Sequence, residues 1–189
     1  VSDWVSLADK ELIVSSQAGD KGAFAELVCR YRERVQATAY RFCGDPHLAE
    51  DIAQETFIKI WRNLPHFQAG SFRSWVYRIA INTAIDYARR TRQTIDLEDV
   101  PLVEPGSDPE GIVLRTERAQ IIRRAVIRLP LHSRAALILR EYEGLSYKEI
   151  AAILDIPLGT VMSRLNYARN TLRADLAPLL EGTDAPSSR

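Results

Sequence analysis

The stretch Gly144–Arg173, GLSYKEIAAILDIPLGTVMSRLNYARNTLR, reads as two helices joined by a stiff four-residue turn. Ser146 stands three residues before Glu149, the spacing of a reciprocal capping box, so the first helix has a defined start. Ile150, Ala151, Ile153 and Leu154 form its apolar stripe, and Asp155–Leu158, with Pro157 unable to donate a backbone bond, ends it. After Gly159, Val161, Leu165, Ala168 and Leu172 recur at helical spacing and share one buried arc. Thr160, Ser163, Asn166, Tyr167 and Asn170 then face outward, flanked by Arg164, Arg169 and Arg173. Short hydrogen-bonding groups bordered by arginines suit a helix lying in a DNA major groove, where amides and hydroxyls meet base edges and guanidinium groups meet phosphates. An ordinary amphipathic hairpin with a solvated face is the competing reading of this segment alone.

The rest of the chain supplies the context. Its 189 residues, 46% hydrophobic and 26% charged, allow one large or two small globular domains. No apolar run is long enough to span a bilayer, and VSDWVSLADKELIV lacks the basic and apolar regions of a secretion signal, so no membrane insertion and a cytoplasmic location are expected. Cys29 and Cys43 lack metal-ligand spacing and read as buried free thiols; no metal and no cofactor are expected.

The net charge of zero hides a segregation. Residues 1–93 carry 13 basic and 11 acidic side chains, 94–111 carry six acidic and no basic ones, and 112–189 carry 12 basic and eight acidic. Two mildly basic units are thus joined by an acidic strap, TIDLEDVPLVEPGSDPEG, whose prolines, glycines and carboxylates cannot build a core and read as a flexible linker. The tail from residue 179 reads as disordered.

Within the N-terminal unit, apolar periodicity predicts helices over 23–43, 48–64 and 72–88, with a shorter one over 9–18. Asp20 and the Asp45–Pro46 pair are N-terminal caps, and Leu64–Pro65 is a stop. Nothing alternates like a strand, so the fold class is all-α: two small helical domains, the C-terminal one containing a helix-turn-helix. On the helix DIAQETFIKIWRNL, the face opposite the packing arc sets Ile58 among Asp51, Gln54, Glu55 and Arg62, an apolar centre with a polar rim as in a protein–protein hot spot. On the next helix Ser71, Trp75, Arg78, Asn82, Asp86 and Arg89 line up along one ridge beside the loop His66–Gly70, which includes Phe67 and Gln68. An aromatic ring interleaved with arginines and an amide suits single-stranded nucleic acid, whose bases stack and whose phosphates need cations.

Together, FAELVCRYRERV, AEDIAQETFIKIWR, FRSWVYRIAINTAIDYARR and the helix-turn-helix preceded by LPLHSRAALILREYE resemble a bacterial RNA polymerase sigma factor of the extracytoplasmic-function group, over about residues 8–178. The resemblance implies no enzymatic activity. It implies a region 2 domain (1–93) that docks through 51–63 on the β′ coiled coil of core polymerase and melts the −10 element with 66–71 and the Trp75–Arg89 ridge. It implies a region 4 domain (112–178) that meets the β flap and reads duplex −35 DNA with 159–173, and an anti-sigma factor as a further partner. Two departures stand out: Met162 and Tyr167 occupy positions where the family often carries a basic residue, and Arg78 and Ile79 stand where housekeeping sigma factors have a paired tryptophan wedge. Fewer phosphate contacts at −35 and weaker melting are the expected consequences. Three readings without polymerase stay open at this point: a dimeric repressor or activator, a helical adaptor, and a metal-dependent nuclease built on Glu50, Asp51 and Glu55.

Overall fold

The computed structural model describes residues 4–68, 70–94 and 110–181. Among these there is no strand. Four helices, α1 (Asp9–Gln17), α2 (Lys21–Cys43), α3 (Pro46–Asn63) and α4 (Phe72–Thr94), form an N-terminal bundle. Another four, α5 (Glu110–Arg128), α6 (Leu131–Glu141), α7 (Tyr147–Leu154) and α8 (Leu158–Glu181), form a C-terminal one. Residues 95–109 of the acidic strap and 182–189 of the tail lie outside the described residues.

Local chemistry sets most helix starts. Asp20 accepts from the Gly22 and Ala23 amides at 2.7 and 3.0 Å, and Asp45 accepts from the Leu48 amide at 2.9 Å, with Pro46 opening α3 where no amide is needed. Gly44 ends α2 in the left-handed region (φ +79°), and a Cβ there would collide with Ile127 of α5. Some boundaries differ from the sequence expectation. α4 runs on to Thr94, α5 takes in Glu110 and Gly111 at the end of the strap, α8 begins at Leu158 and continues to Glu181. The added stretches include Gly111, Gly159 and Pro178, so α5 and α8 run through residues that the sequence alone marks as breakers. Leu64 and Pro65 leave α3 and enter a 3-10 turn to His66. Cys29 is exposed, contrary to the expectation of a buried thiol, because it falls on the solvent side of α2; Cys43 is half-buried, and burial pushes its thiol up to about 11.

Hydrophobic packing falls into two main clusters. One, around Leu12, Leu27, Ile60, Phe72 and Val76, holds α1–α4 together. The other crosses between the bundles: Phe42, Ile52, Tyr77 and Ile81 pack with Ala135, Ile138, Leu139, Leu145, Ile150 and Val161. The two bundles therefore share a core.

Candidate nucleic-acid and polymerase interfaces

The helix-turn-helix forms as its sequence suggests. Ser146 Oγ accepts from the Glu149 amide at 3.3 Å while the Glu149 carboxylate accepts from the Ser146 amide at 2.8 Å. These bonds hold the Glu149 carboxyl below the usual carboxylate range. Asp155 closes α7 in the left-handed conformation (φ 52°), and Ile150 and Ile153 are buried. On α8, Val161, Leu165 and Ala168 are buried, whereas Ser163, Asn166, Tyr167, Asn170 and Arg173 are exposed and Thr160 is partly so. Two of the arginines are less free than expected. Arg169 is bound to Glu141 at 2.8 Å and reaches the Tyr147 hydroxyl, which raises its pKa, and Arg164 is half-buried with one guanidinium nitrogen enclosed and without a hydrogen-bond partner.

On α3 the outer face matches its prediction. Ile58 is 44% exposed, with Asp51, Gln54 and Arg62 exposed and Glu55 partly so around it. Lys59, which the sequence reading passed over, adds to the rim; it lies 3.8 Å from Glu55 and donates to Thr83 Oγ1 at 3.1 Å. Beside Ile58 an apolar cleft of about 410 Å³ opens between Phe24, Phe57 and Trp61.

The α4 ridge is present, but its aromatic end is engaged. Arg78, Asn82 and Arg89 are exposed and Asp86 is partly so. Trp75 packs against Phe67 and Phe72, with centroids at 5.0 and 5.6 Å, so two of the rings expected to meet nucleic acid are half-buried against one another. Ser71 is exposed but caps α4 through the Ser74 amide at 3.2 Å. Spacing alone locates the ridge; it does not reveal that Phe67 folds back from the loop onto Trp75. His66 and Gln68 remain exposed, and Gln17 of α1 fixes the loop by donating to the Leu64 and Phe67 carbonyls. A cleft of about 490 Å³ lies between this loop and α1.

The seam between the bundles contains residues that carry no local sequence signal. Glu143, 8% exposed, leaves the α6–α7 turn and inserts into the N-terminal bundle. Its carboxylate accepts from Thr38 Oγ1 at 2.7 Å and from the Tyr77 hydroxyl, and lies 3.5 Å from Arg41. Arg73 donates to its carbonyl. Burial, then the bond to Glu143, pushes the Tyr77 hydroxyl up to about 12. Arg134 is buried and donates to the Phe42 carbonyl at 2.8 Å and to Leu129 at 3.0 Å, joining the ends of α2 and α5. At the edge, Arg89 of the ridge is 3.4 Å from His132, whose pKa is lowered by burial and by the charges of Arg164 and Arg89.

Comparisons with known proteins follow these two bundles. Residues 27–94 match the family model for sigma-70 region 2 and residues 119–172 that for sigma-70 region 4. The ECF RNA polymerase sigma-E factor of Escherichia coli K12 is 40% identical over 188 residues, covering 92% of this chain and 97% of that protein. The chain belongs to the extracytoplasmic-function sigma factors of bacterial RNA polymerase. Like its family, this sigma factor binds the polymerase and recognises promoters to initiate transcription, a class of initiation factors rather than of enzymes. The RNA polymerase sigma-H factor of Pseudomonas aeruginosa is also 40% identical, over 91% of the chain and 95% of its own length. Among solved structures, CnrH in complex with the cytosolic domain of CnrY superposes with a TM-score of 0.68 at 26% identity over 94% of this sigma factor and 99% of that chain. The sigma factor RpoE of Bartonella quintana, bound to the anti-sigma factor NepR, gives 0.64 at 25% identity over 82% and 96%. No described helix of the sigma factor is long and apolar enough to cross a membrane. Nor, among the described residues, does any group of three or more His, Cys, Asp or Glu side chains gather where a metal ion would fit.

Proposed function

We propose that residues 1–93 dock on the β′ coiled coil of core polymerase through Asp51, Gln54, Glu55, Ile58 and Arg62, and engage melted −10 DNA with His66, Phe67, Gln68 and the ridge from Ser71 to Arg89. Residues 112–178 contact the β flap and read duplex −35 DNA with the exposed face of α8 between Thr160 and Arg173. The chain performs no covalent chemistry; it exchanges base pairing for stacking and pocket contacts while polymerase makes RNA in the cytoplasm. Its regulon answers a stress or other signal, and an anti-sigma factor is its off-switch.

The arrangement of the bundles adds one requirement. Elements named −35 and −10 are separated by about 25 base pairs, or about 85 Å at 3.4 Å each. The whole of α4 is only about 35 Å long at 1.5 Å per residue over its 23 residues, and its Arg89 touches the bundle that carries α8. Both elements are not reachable at once from this packing, so the bundles separate at the Glu143 seam when holoenzyme engages a promoter.

The observation that carries the polymerase assignment is the exposed Ile58 within its polar rim. Mixing the chain with sigma-free core polymerase tests it by co-elution. Wild type is expected to co-elute and Ile58→Asp to be lost, with both retaining the same helical circular dichroism. Co-elution of Ile58→Asp as complete as that of wild type overturns the docking face, and failure of wild type to bind overturns the polymerase reading as a whole.

A further inference from the structure

Among its described residues α8 carries two large aliphatic side chains that the fold does not use. Met162 is 53% exposed and Leu158, one turn before it, is 42% exposed. Neither belongs to the hydrophobic clusters. With Asn166 and Asn170 they form a ridge at steps of four, apolar at the start of the helix and amide-bearing beyond it; Asn170 Nδ2 lies 3.5 Å from Asn166 Oδ1. The early residues of a recognition helix are those that reach base edges. Of the groups displayed in the major groove only one is apolar, the thymine 5-methyl.

We propose that Met162 reads a thymine methyl in the −35 duplex, with Leu158 behind it excluding water. This rests on the assignment of α8 as the −35 reader. The unbranched thioether adapts to the position of a methyl and offers no hydrogen bond to any other base edge. A protein partner would be the other occupant of an exposed apolar pair. Two side chains flanked by Thr160, Ser163 and Asn166 make a much smaller patch than the few hundred Å² typical of such sites, and that favours DNA.

The test uses holoenzyme assembled from the full chain and core polymerase. A promoter is first selected from a duplex pool randomised across both elements. Each thymine of its −35 window is then replaced singly by deoxyuridine, which removes only the methyl. At one position wild type should weaken by about 4-fold, the effect of burying one methyl group. Met162→Ala should bind thymine and deoxyuridine there equally, and Met162→Arg should shift reselection at that position toward G·C, where a guanidinium pairs with guanine O6 and N7. Equal thymine-to-deoxyuridine ratios in wild type and Met162→Ala, or a Met162→Arg holoenzyme that reselects the same thymine, overturn the proposal. If Met162→Ala weakens core binding instead, the residue serves a protein and the proposal falls. If wild-type holoenzyme selects no −35 sequence at all, the α8 reading itself fails, a result distinguishable from the others.

Discussion

The seam between the bundles and the outer face of α3 are both helix surface, yet they are built in opposite ways. At the seam a buried carboxylate, Glu143, collects Thr38, Tyr77 and Arg41 from across the chain, while Phe42, Ile138 and Leu139 join the apolar core that the two bundles share. On α3, Ile58 stands in solvent, and the only ion pair on the rim among the described residues is Lys59 with Glu55 at 3.8 Å. Buried polar groups are expensive to leave unmatched, whereas a loose pair in water adds little. The difference separates residues that hold the closed form from residues kept available for a partner, and substitution should move different observables in the two places.

The largest effect is expected at the seam. Ile138→Ala removes a side chain with no solvent exposure and should lower unfolding free energy by about 3 kcal/mol in chemical denaturation. Glu143→Ala deprives Thr38, Tyr77 and Arg41 of their acceptor and should cost about 2 kcal/mol, with small-angle scattering showing a larger radius of gyration than wild type. An unchanged radius would show that the apolar contacts alone keep the bundles together. On α3, Ile58→Ala should leave denaturation within about 0.5 kcal/mol of wild type but weaken core-polymerase binding by about tenfold. A stability loss comparable to that of Ile138→Ala would break the contrast.

Smaller effects sharpen it. Ser146→Ala should lower stability by about 1 kcal/mol through loss of the α7 cap, measurable as a shift in denaturation midpoint. The weakest is the pH response of the Arg89–His132 contact. Because the folded pKa of His132 is depressed, its contribution is complete above the ordinary value of 6.5 and is lost as pH falls through the lowered value. Both side chains are exposed, so the effect should be small, and it should vanish in His132→Gln when stability is followed from pH 8 to pH 5.

What the sequence made legible was local. Asp20, Asp45 and Ser146 act on amides two or three residues away, and the buried arcs of α3 and α8 follow a period that any helix obeys. The candidate surfaces came from the same arcs by complement, and Ile58, Arg78, Asn82, Ser163 and Asn166 are exposed accordingly. The seam was illegible because its partners lie far apart in sequence: 105 residues separate Thr38 from Glu143, and 66 separate Tyr77 from Glu143. In sequence Glu143 looks like any surface carboxylate ahead of a glycine turn. The direction of the Trp75 ring was hidden for a related reason. Its place on the α4 ridge follows from spacing, but the ring's direction depends on Phe67, which arrives from a loop with no period to read.

Gly44 carries a consequence for inheritance. The end of α2 lies so near Ile127 that a methyl group there would force the Ile127 side chain out of its place, and its backbone angle already disfavours every side chain. A single nucleotide change from a glycine to an alanine codon would therefore be expected to loosen the closed form while leaving every residue assigned to polymerase or promoter untouched.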